Sequence, residues 1–206
     1  MKILILGISR SGTTSLKQAI SNQNYFSIGE PFNQGLEDGR THLYPIKDFD
    51  MYDNVVVKSL ALQKPKNIDY ELIEFQLKFI KDFDKTILLD RRDRKEHNES
   101  FLHLYWRLET KQPTMQKWDS DIIPKKYREL FEKHNRYFDL DLQKSQINEI
   151  SRITNIPITY YEDLYGKDRN KSLEIIKSWQ LKINDETLND DLNPKFKLRQ
   201  YNKTII

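Results

Sequence analysis

The chain contains no cysteine among its 206 residues, which excludes disulfide bonds, thiolate metal sites and cysteine nucleophiles. It also lacks any apolar run near the ~20 residues that span a bilayer. No linker rich in glycine or serine divides it. The 34 basic residues nearly cancel the 31 acidic ones, leaving a net charge of +3. Bulk charge therefore does not indicate a nucleic-acid partner.

The composition is typical of one globular domain, with 37% hydrophobic and 32% charged residues. The apolar N-terminal stretch ends at Gly7 and is followed by Ser9 and Arg10. It is too short for a signal peptide. We therefore expect a single domain over residues 1–206 that stays in the cytoplasm and has no membrane span.

Short β-type runs alternate with longer helical ones along the chain. The predicted strands are 2–6, 25–28, 54–58, 85–90 and 158–161, and the predicted helices are 12–22, 70–82, 95–110, 125–154 and 170–179. Residues 3–6 and 55–57 are almost continuously apolar, as parallel strands buried on both faces require. The pattern predicts an α/β fold with three α/β/α layers and a central, mostly parallel five-stranded sheet.

Residues 30–53 form a long segment that is polar and aromatic. A loop of this length in a compact domain is usually functional or mobile. Two interpretations stay open: a cover over a substrate site, or an excursion on the surface.

A glycine-containing segment follows the first strand directly. Gly7 and Gly12 have the spacing of the nucleotide-triphosphate loop G-x-x-x-x-G-K-[ST], but Thr13 occupies the lysine position. Backbone N–H groups in such a turn, and the N-terminus of the next helix, face an anion. The missing lysine argues against ATP or GTP, and the basic residue lies inside the loop, at Arg10. The sequence predicts a P-loop cradle for a phosphate and a sulfuryl group, without magnesium.

Residues 9–16, Ser-Arg-Ser-Gly-Thr-Thr-Ser-Leu, resemble the 5′-phosphosulfate loop of the sulfotransferase family. The resemblance implies 3′-phosphoadenosine-5′-phosphosulfate (PAPS) as the donor, 3′-phosphoadenosine-5′-phosphate (PAP) as the product, and no metal. It assigns the 5′-phosphosulfate to Arg10, Ser11, Gly12, Thr13, Thr14 and Ser15.

A second basic segment follows the predicted strand 85–90. Arg92 leaves the strand end and Ser100 lies eight residues later on the next helix, so a guanidinium fork and a hydroxyl can converge on one phosphate. The segment resembles the family's 3′-phosphate motif, which implies that role for Arg92 and Ser100. Arg91 and Arg94 are interpreted as surface charge or substrate contacts.

Sulfuryl transfer to an alcohol needs a base and nearby cations. Glu30 precedes Pro31 at the end of the second strand, and the pair resembles the E-P motif of carbohydrate and bacterial sulfotransferases, whose glutamate is proposed as the base. Lys58 closes an apolar strand and is similar to a family residue near the transferring group. Glu30 is therefore the candidate base, with Lys58 and Arg10 stabilising the sulfuryl group. His42 is the alternative base.

Two C-terminal segments extend the resemblance. Residues 156–164 are similar to a Y-E-D-L segment, which implies Tyr161 near the nucleotide, although Glu162 and Asp163 also suit the first turn of a helix. Residues 195–203 resemble the basic tail of bacterial sulfotransferases, which implies Arg199 on the donor; a solvated tail is the alternative. Residues 111–153 resemble no family segment.

The sequence thus predicts a sulfotransferase that acts on the hydroxyl of a small-molecule or glycan acceptor, with a saccharide or glycolipid favoured by the resemblance. Two alternatives stay open: a P-loop kinase of a small molecule, and a catalytically inactive nucleotide-binding relative. The oligomeric state is not predicted.

Overall fold

The computed structural model describes residues 1–21, 23–33, 42–110, 123–126, 128–129, 140–166 and 168–181. Arg199 and the predicted basic tail lie outside these residues. The five strands are β1 (Lys2–Gly7), β2 (Phe26–Gly29), β3 (Val55–Leu60), β4 (Lys85–Asp90) and β5 (Ile158–Tyr160). They form one sheet in the order β2-β3-β1-β4-β5, and every pairing is parallel. The predicted α/β class and strand number are confirmed, and the described sheet is wholly parallel.

Six helices have defined bounds in the described chain: α1 (Thr13–Ser21), α2 (Leu72–Ile80), α3 (Arg94–Thr110), α4 (Leu140–Thr154), α5 (Tyr161–Tyr165) and α6 (Arg169–Ser178). The prediction of β5 was wrong at one end, because Tyr161 begins α5 instead of closing the strand. Of the predicted helix 125–154, the described residues 125–126, 128–129 and 140–154 are helical, and the last of these ranges is α4.

The core occupies both faces of the sheet, because side chains alternate along the central strand β1. Leu4 and Leu6 pack on one face with Phe75 of α2. Ile3 and Ile5 pack on the other face, together with residues of α1 and α6: Leu16, Ala19, Ile20 and Ile176. All four β1 side chains are fully buried, and each such burial contributes about 1.5–3 kcal/mol. The two clusters give the three-layer arrangement that the sequence predicts.

The segment 30–53 is partly packed against this core. Ile46 and Phe49 are buried in the cluster that holds α2, and Tyr44 packs against it. A short 3-10 turn (Lys47–Asp50) carries Phe49 inward. The described part of the segment therefore belongs to the folded domain, and neither sequence interpretation foresaw these core contacts.

The strand order brings two turns together at one edge of the sheet. β1 lies between β3 and β4; the chain leaving β1 leads through α1 to β2 on one side, and the chain leaving β4 leads to β5 on the other. Ligands of open α/β sheets bind where two such turns diverge at the carboxyl ends of adjacent strands. Within the described residues, no helix is both long and apolar enough to cross a membrane.

Candidate functional site

The turn between β1 and α1 is tight and contains two residues with left-handed backbone angles. Arg10 has φ of 65° and Gly12 has φ of 85°, values that favour glycine and cost most other residues energy. The backbone N–H and the hydroxyl of Ser11 both donate to the carbonyl of Ile8, at 3.3 and 2.7 Å. A Cβ on residue 12 would overlap the ring of Tyr165. Gly12 is therefore required by both its backbone angle and its neighbour.

Two buried side chains bind the backbone of Ser9, the residue before Arg10. Gln143 of α4 accepts from the Ser9 N–H at 2.8 Å, and Nε2 of His97 lies 2.7 Å from the Ser9 carbonyl. Burial lowers the pKa of His97 to about 4, although the Ser9 carbonyl partly opposes the shift. His97 is thus neutral near pH 7 and donates from Nε2. The His97 ring is fully buried.

Of the second predicted anchor, Ser100 lies beside Arg10 of the first, whereas Arg92 contacts Asp163 and Tyr160. Nε of Arg10 donates to the hydroxyl of Ser100, on α3, at 3.0 Å. Ser100 is buried and Arg10 is half-buried. The turn after β1 and the helix after β4 therefore present a guanidinium and a hydroxyl side by side, a donor pair suited to an anion.

An aromatic wall closes the site beside Gly12. The Tyr165 hydroxyl donates to the Gly12 carbonyl at 2.8 Å, and the Tyr161 ring stacks on Tyr165 with centroids 4.7 Å apart. The guanidinium of Arg91 lies over the Tyr161 ring at 4.4 Å. Burial raises the pKa of Tyr161, so its hydroxyl stays protonated. Tyr161 lies next to the turn, with its ring 3.0 Å from the point where a Cβ on Gly12 would stand.

Arg92 is engaged with α5 and is half exposed. Its guanidinium forms two bonds of 2.8 Å with the Asp163 carboxylate and stacks on the Tyr160 ring at 3.8 Å. The hydrogen bond from Arg92 lowers the pKa of Asp163. Glu162 accepts the backbone N–H groups of Arg92 and Asp93, both at 3.0 Å. A phosphate at Arg92 would have to compete with the Asp163 carboxylate.

Glu30 and Lys58, predicted separately, form a part-buried ion pair. Glu30 directly follows β2, but the prediction that Lys58 closes its strand was wrong, because β3 continues to Leu60. The other carboxylate oxygen of Glu30 accepts from Asn33 at 2.7 Å and Gln63 at 3.1 Å. Burial works to raise the pKa of Glu30, but Lys58 and the two amides outweigh it and hold that pKa below its usual value. Glu30 is therefore ionised at neutral pH and fixed on three sides.

Lys17 of α1 adds a second cation near this pair. Its Nζ lies 3.3 Å from the point where a Cβ on Gly29 would stand. Burial and the nearby charge of Lys58 lower the pKa of Lys17, while Glu30 opposes the shift. Lys17 therefore adds a second basic side chain near the ion pair of Glu30 and Lys58.

The hydroxyl groups of the turn differ in access. Ser11 and Thr13 are buried, Ser15 is intermediate and Thr14 is exposed. The Ser11 hydroxyl already donates within the turn. Of the predicted 5′-phosphosulfate residues, Thr14 offers the most accessible hydroxyl, and Ser11 and Thr13 shape the turn.

The alternative base, His42, is attached to the Glu30 segment through its backbone. Its N–H donates to the Pro31 carbonyl at 2.7 Å. Its imidazole Nδ1 lies 3.9 Å from the Asp48 carboxylate.

No family model matches the chain, and no curated protein matches it. In the part of the chain that the structure describes, no group of three or more His, Asp or Glu side chains is arranged to hold a metal ion.

Sequence reasoning missed four residues of the site: Lys17, Gln63, Gln143 and Tyr165. Each acts through a contact made in the fold, and none is part of a local motif. Only Tyr165 carried a signal, because it lies four residues after Tyr161 and so shares a helix face with it.

Proposed function

We propose that the chain is a sulfotransferase of the P-loop class, which moves a sulfuryl group from PAPS to an acceptor hydroxyl. The observation that carries the proposal is the hydrogen bond between Arg10 and Ser100. It joins the turn that resembles a 5′-phosphosulfate loop to the helix that resembles a 3′-phosphate motif. One bisphosphorylated nucleotide accounts for both motifs, whereas a triphosphate does not account for Thr13 in the lysine position.

The donor's 5′ end lies, in this proposal, at the N-terminus of α1. The backbone N–H groups of the turn, the exposed hydroxyl of Thr14 and the Arg10 guanidinium supply donors for the phosphosulfate. The 3′-phosphate lies against Ser100 and Arg92. The partly exposed ring of Tyr161, backed by the buried ring of Tyr165, forms an apolar surface beside the adenosine.

Glu30 is the base in the proposed reaction. Its ionised carboxylate accepts the proton of the acceptor hydroxyl as the oxygen bonds to sulfur and the sulfur–oxygen bond to the leaving phosphate breaks. To reach Glu30, the acceptor hydroxyl displaces one of the three side chains that now bind this carboxylate, which are Asn33, Lys58 and Gln63. Lys58, released in part from Glu30, stabilises the equatorial oxygens of the sulfuryl group together with Arg10.

Label transfer tests this function. The protein is incubated with radiolabelled PAPS and a pool of hydroxyl compounds in EDTA, and in parallel with γ-labelled ATP, magnesium and the same pool. We expect protein-dependent transfer of sulfate and none of phosphate. Transfer from ATP alone would replace the proposal with a kinase. Binding of PAP without transfer to any pool would favour an inactive nucleotide-binding relative.

A further inference from the structure

A cavity of about 600 Å³, open to solvent, lies beside side chains that bind Glu30, although Glu30 itself does not line it. Asn33 and Gln63 line it, and the same two amides donate to the Glu30 carboxylate. The volume is within the range of small-molecule sites. The two amides therefore separate the cavity from the candidate base by one layer of side chains.

Two lysines give the cavity a positive wall. Lys64 and Lys66 line it, and none of its described lining residues carries a carboxylate. Nζ of Lys64 donates to the Tyr70 carbonyl at 3.0 Å, which holds one ammonium group in place and leaves two of its protons for other acceptors. Lys66 is exposed. Together they suit an anion at the outer end of the cavity.

The remaining wall is apolar. Phe32, Leu62, Pro65 and Ile68 contribute to it, and Phe32 is anchored by edge-on packing against Phe75, with centroids 5.3 Å apart. A wall of this kind contacts the C–H face of a ring. The cavity thus combines an apolar side, a cationic end and amides beside a carboxylate.

We propose, resting on the sulfotransferase assignment, that this cavity binds the acceptor and that the acceptor is a sugar acid. Its carboxylate lies against Lys64 and Lys66 and its ring against the apolar wall. One hydroxyl displaces the Asn33 or Gln63 amide and binds Glu30. The hydroxyl oxygen bonds to sulfur, its proton passes to Glu30, and the electron pair of the broken bond leaves with the phosphate oxygen of PAP. The lysines offset the repulsion between the acceptor's charge and the incoming sulfuryl group.

The experiment compares uronic acids with their methyl esters, which keep every hydroxyl and lose only the charge. Sulfate transfer from PAPS is measured for glucuronate, galacturonate and the two esters, with wild type, Lys66→Gln and Lys64→Gln. Lys81→Gln, at an exposed lysine after α2, is the matched control. We expect the acids to be preferred, and this preference to fall about tenfold in each cavity variant, the loss of one charged hydrogen bond. Lys81→Gln should match wild type.

Binding of PAP and of the uronic acids is measured in parallel by ligand-observed NMR. Preference for the esters, an unchanged preference in both cavity variants, or no binding of either uronic acid to the PAP-bound protein overturns the acceptor assignment while the donor site stands. Failure of wild type to bind PAP at all overturns the proposed function and this inference with it.

Discussion

Arg10 and Ser100 are 90 positions apart in the chain, yet Nε of Arg10 donates to the Ser100 hydroxyl at 3.0 Å. The contact exists because β1 and β4 are adjacent parallel strands, with Gly7 registered against Leu89. The turns that follow these strands leave the same edge of the sheet. The left-handed backbone of Arg10, fixed through Ser9 by His97 and Gln143, sets the direction of its side chain.

Removal of the Ser100 hydroxyl tests this junction. We expect Ser100→Ala to raise the dissociation constant of PAP about tenfold, because a hydrogen bond to a charged group is worth about 1.5–3 kcal/mol. Isothermal titration measures the change. Ser21→Ala is the control, because it removes a hydroxyl on α1 that donates only to its own helix, at Gln18. If the two variants bound PAP with equal affinity, Ser100 would not contact the donor.

Glu30→Gln tests the base. We expect turnover to fall by about 10²–10⁴, the usual contribution of general base catalysis, while the dissociation constant of PAP stays near that of wild type. The control is Glu74→Gln, which alters an exposed carboxylate paired with Lys78 and should leave both quantities unchanged. Unchanged turnover in Glu30→Gln would remove Glu30 as the base and bring His42 forward.

The role of Arg92 is tested by comparing substitutions of Arg92 and of Lys171, because both side chains bind the Asp163 carboxylate. Asp163 binds both Arg92 and Lys171, the latter at 2.7 Å. Arg92→Ala should weaken PAP far more than adenosine 5′-phosphate, which lacks the 3′-phosphate, since only the former presents a partner for the guanidinium. Lys171→Ala should affect both nucleotides alike. If Arg92→Ala weakened the binding of both nucleotides equally, Arg92 would bind only Asp163 of α5 and would not contact the 3′-phosphate.

His97 predicts how stability depends on pH. Its pKa of about 4 in the folded protein lies below the unfolded value of about 6.5, so the unfolded chain binds the proton more tightly. The contribution of His97 is fully present above about pH 6.5 and is lost as the pH falls toward 4, with about 2 kcal/mol gone by pH 5.

His97→Gln keeps an N–H donor for the Ser9 carbonyl but does not titrate. Its free energy of unfolding, measured by urea denaturation, should change less than that of wild type between pH 7 and pH 5. Parallel pH dependence in the two proteins would show that His97 does not charge on unfolding in this range.

The strands were predictable because each carries an apolar run that a parallel sheet must bury. Residues 85–90 were predicted with their observed bounds. The order of the strands across the sheet was not predictable, because it depends on how the connecting helices cross from one strand to the next. The contact between Arg10 and Ser100 follows from that order and could not be derived from either motif alone. The packing of Ile46 and Phe49 was missed because isolated apolar residues among polar ones show no period.

The candidate site was predictable where residues lie within a motif. Gly12, Glu30 and Lys58 were identified from the turn and the strand ends, and the structure brings the latter two into contact. Lys17 could not be identified, since nothing distinguishes it from other lysines until α1 is packed. Tyr165 carried only its four-residue spacing from Tyr161, which does not show that its ring meets Gly12.

The thermal shift of the protein with PAP, compared with ATP and magnesium, tests the central claim most directly. At ~100 times its dissociation constant a ligand adds about 2.7 kcal/mol of stability, which corresponds to roughly 5–10 °C for a domain of this size. We predict such a shift with PAP and none with ATP and magnesium. A shift with ATP and magnesium alone would contradict the donor site formed by Arg10 and Ser100.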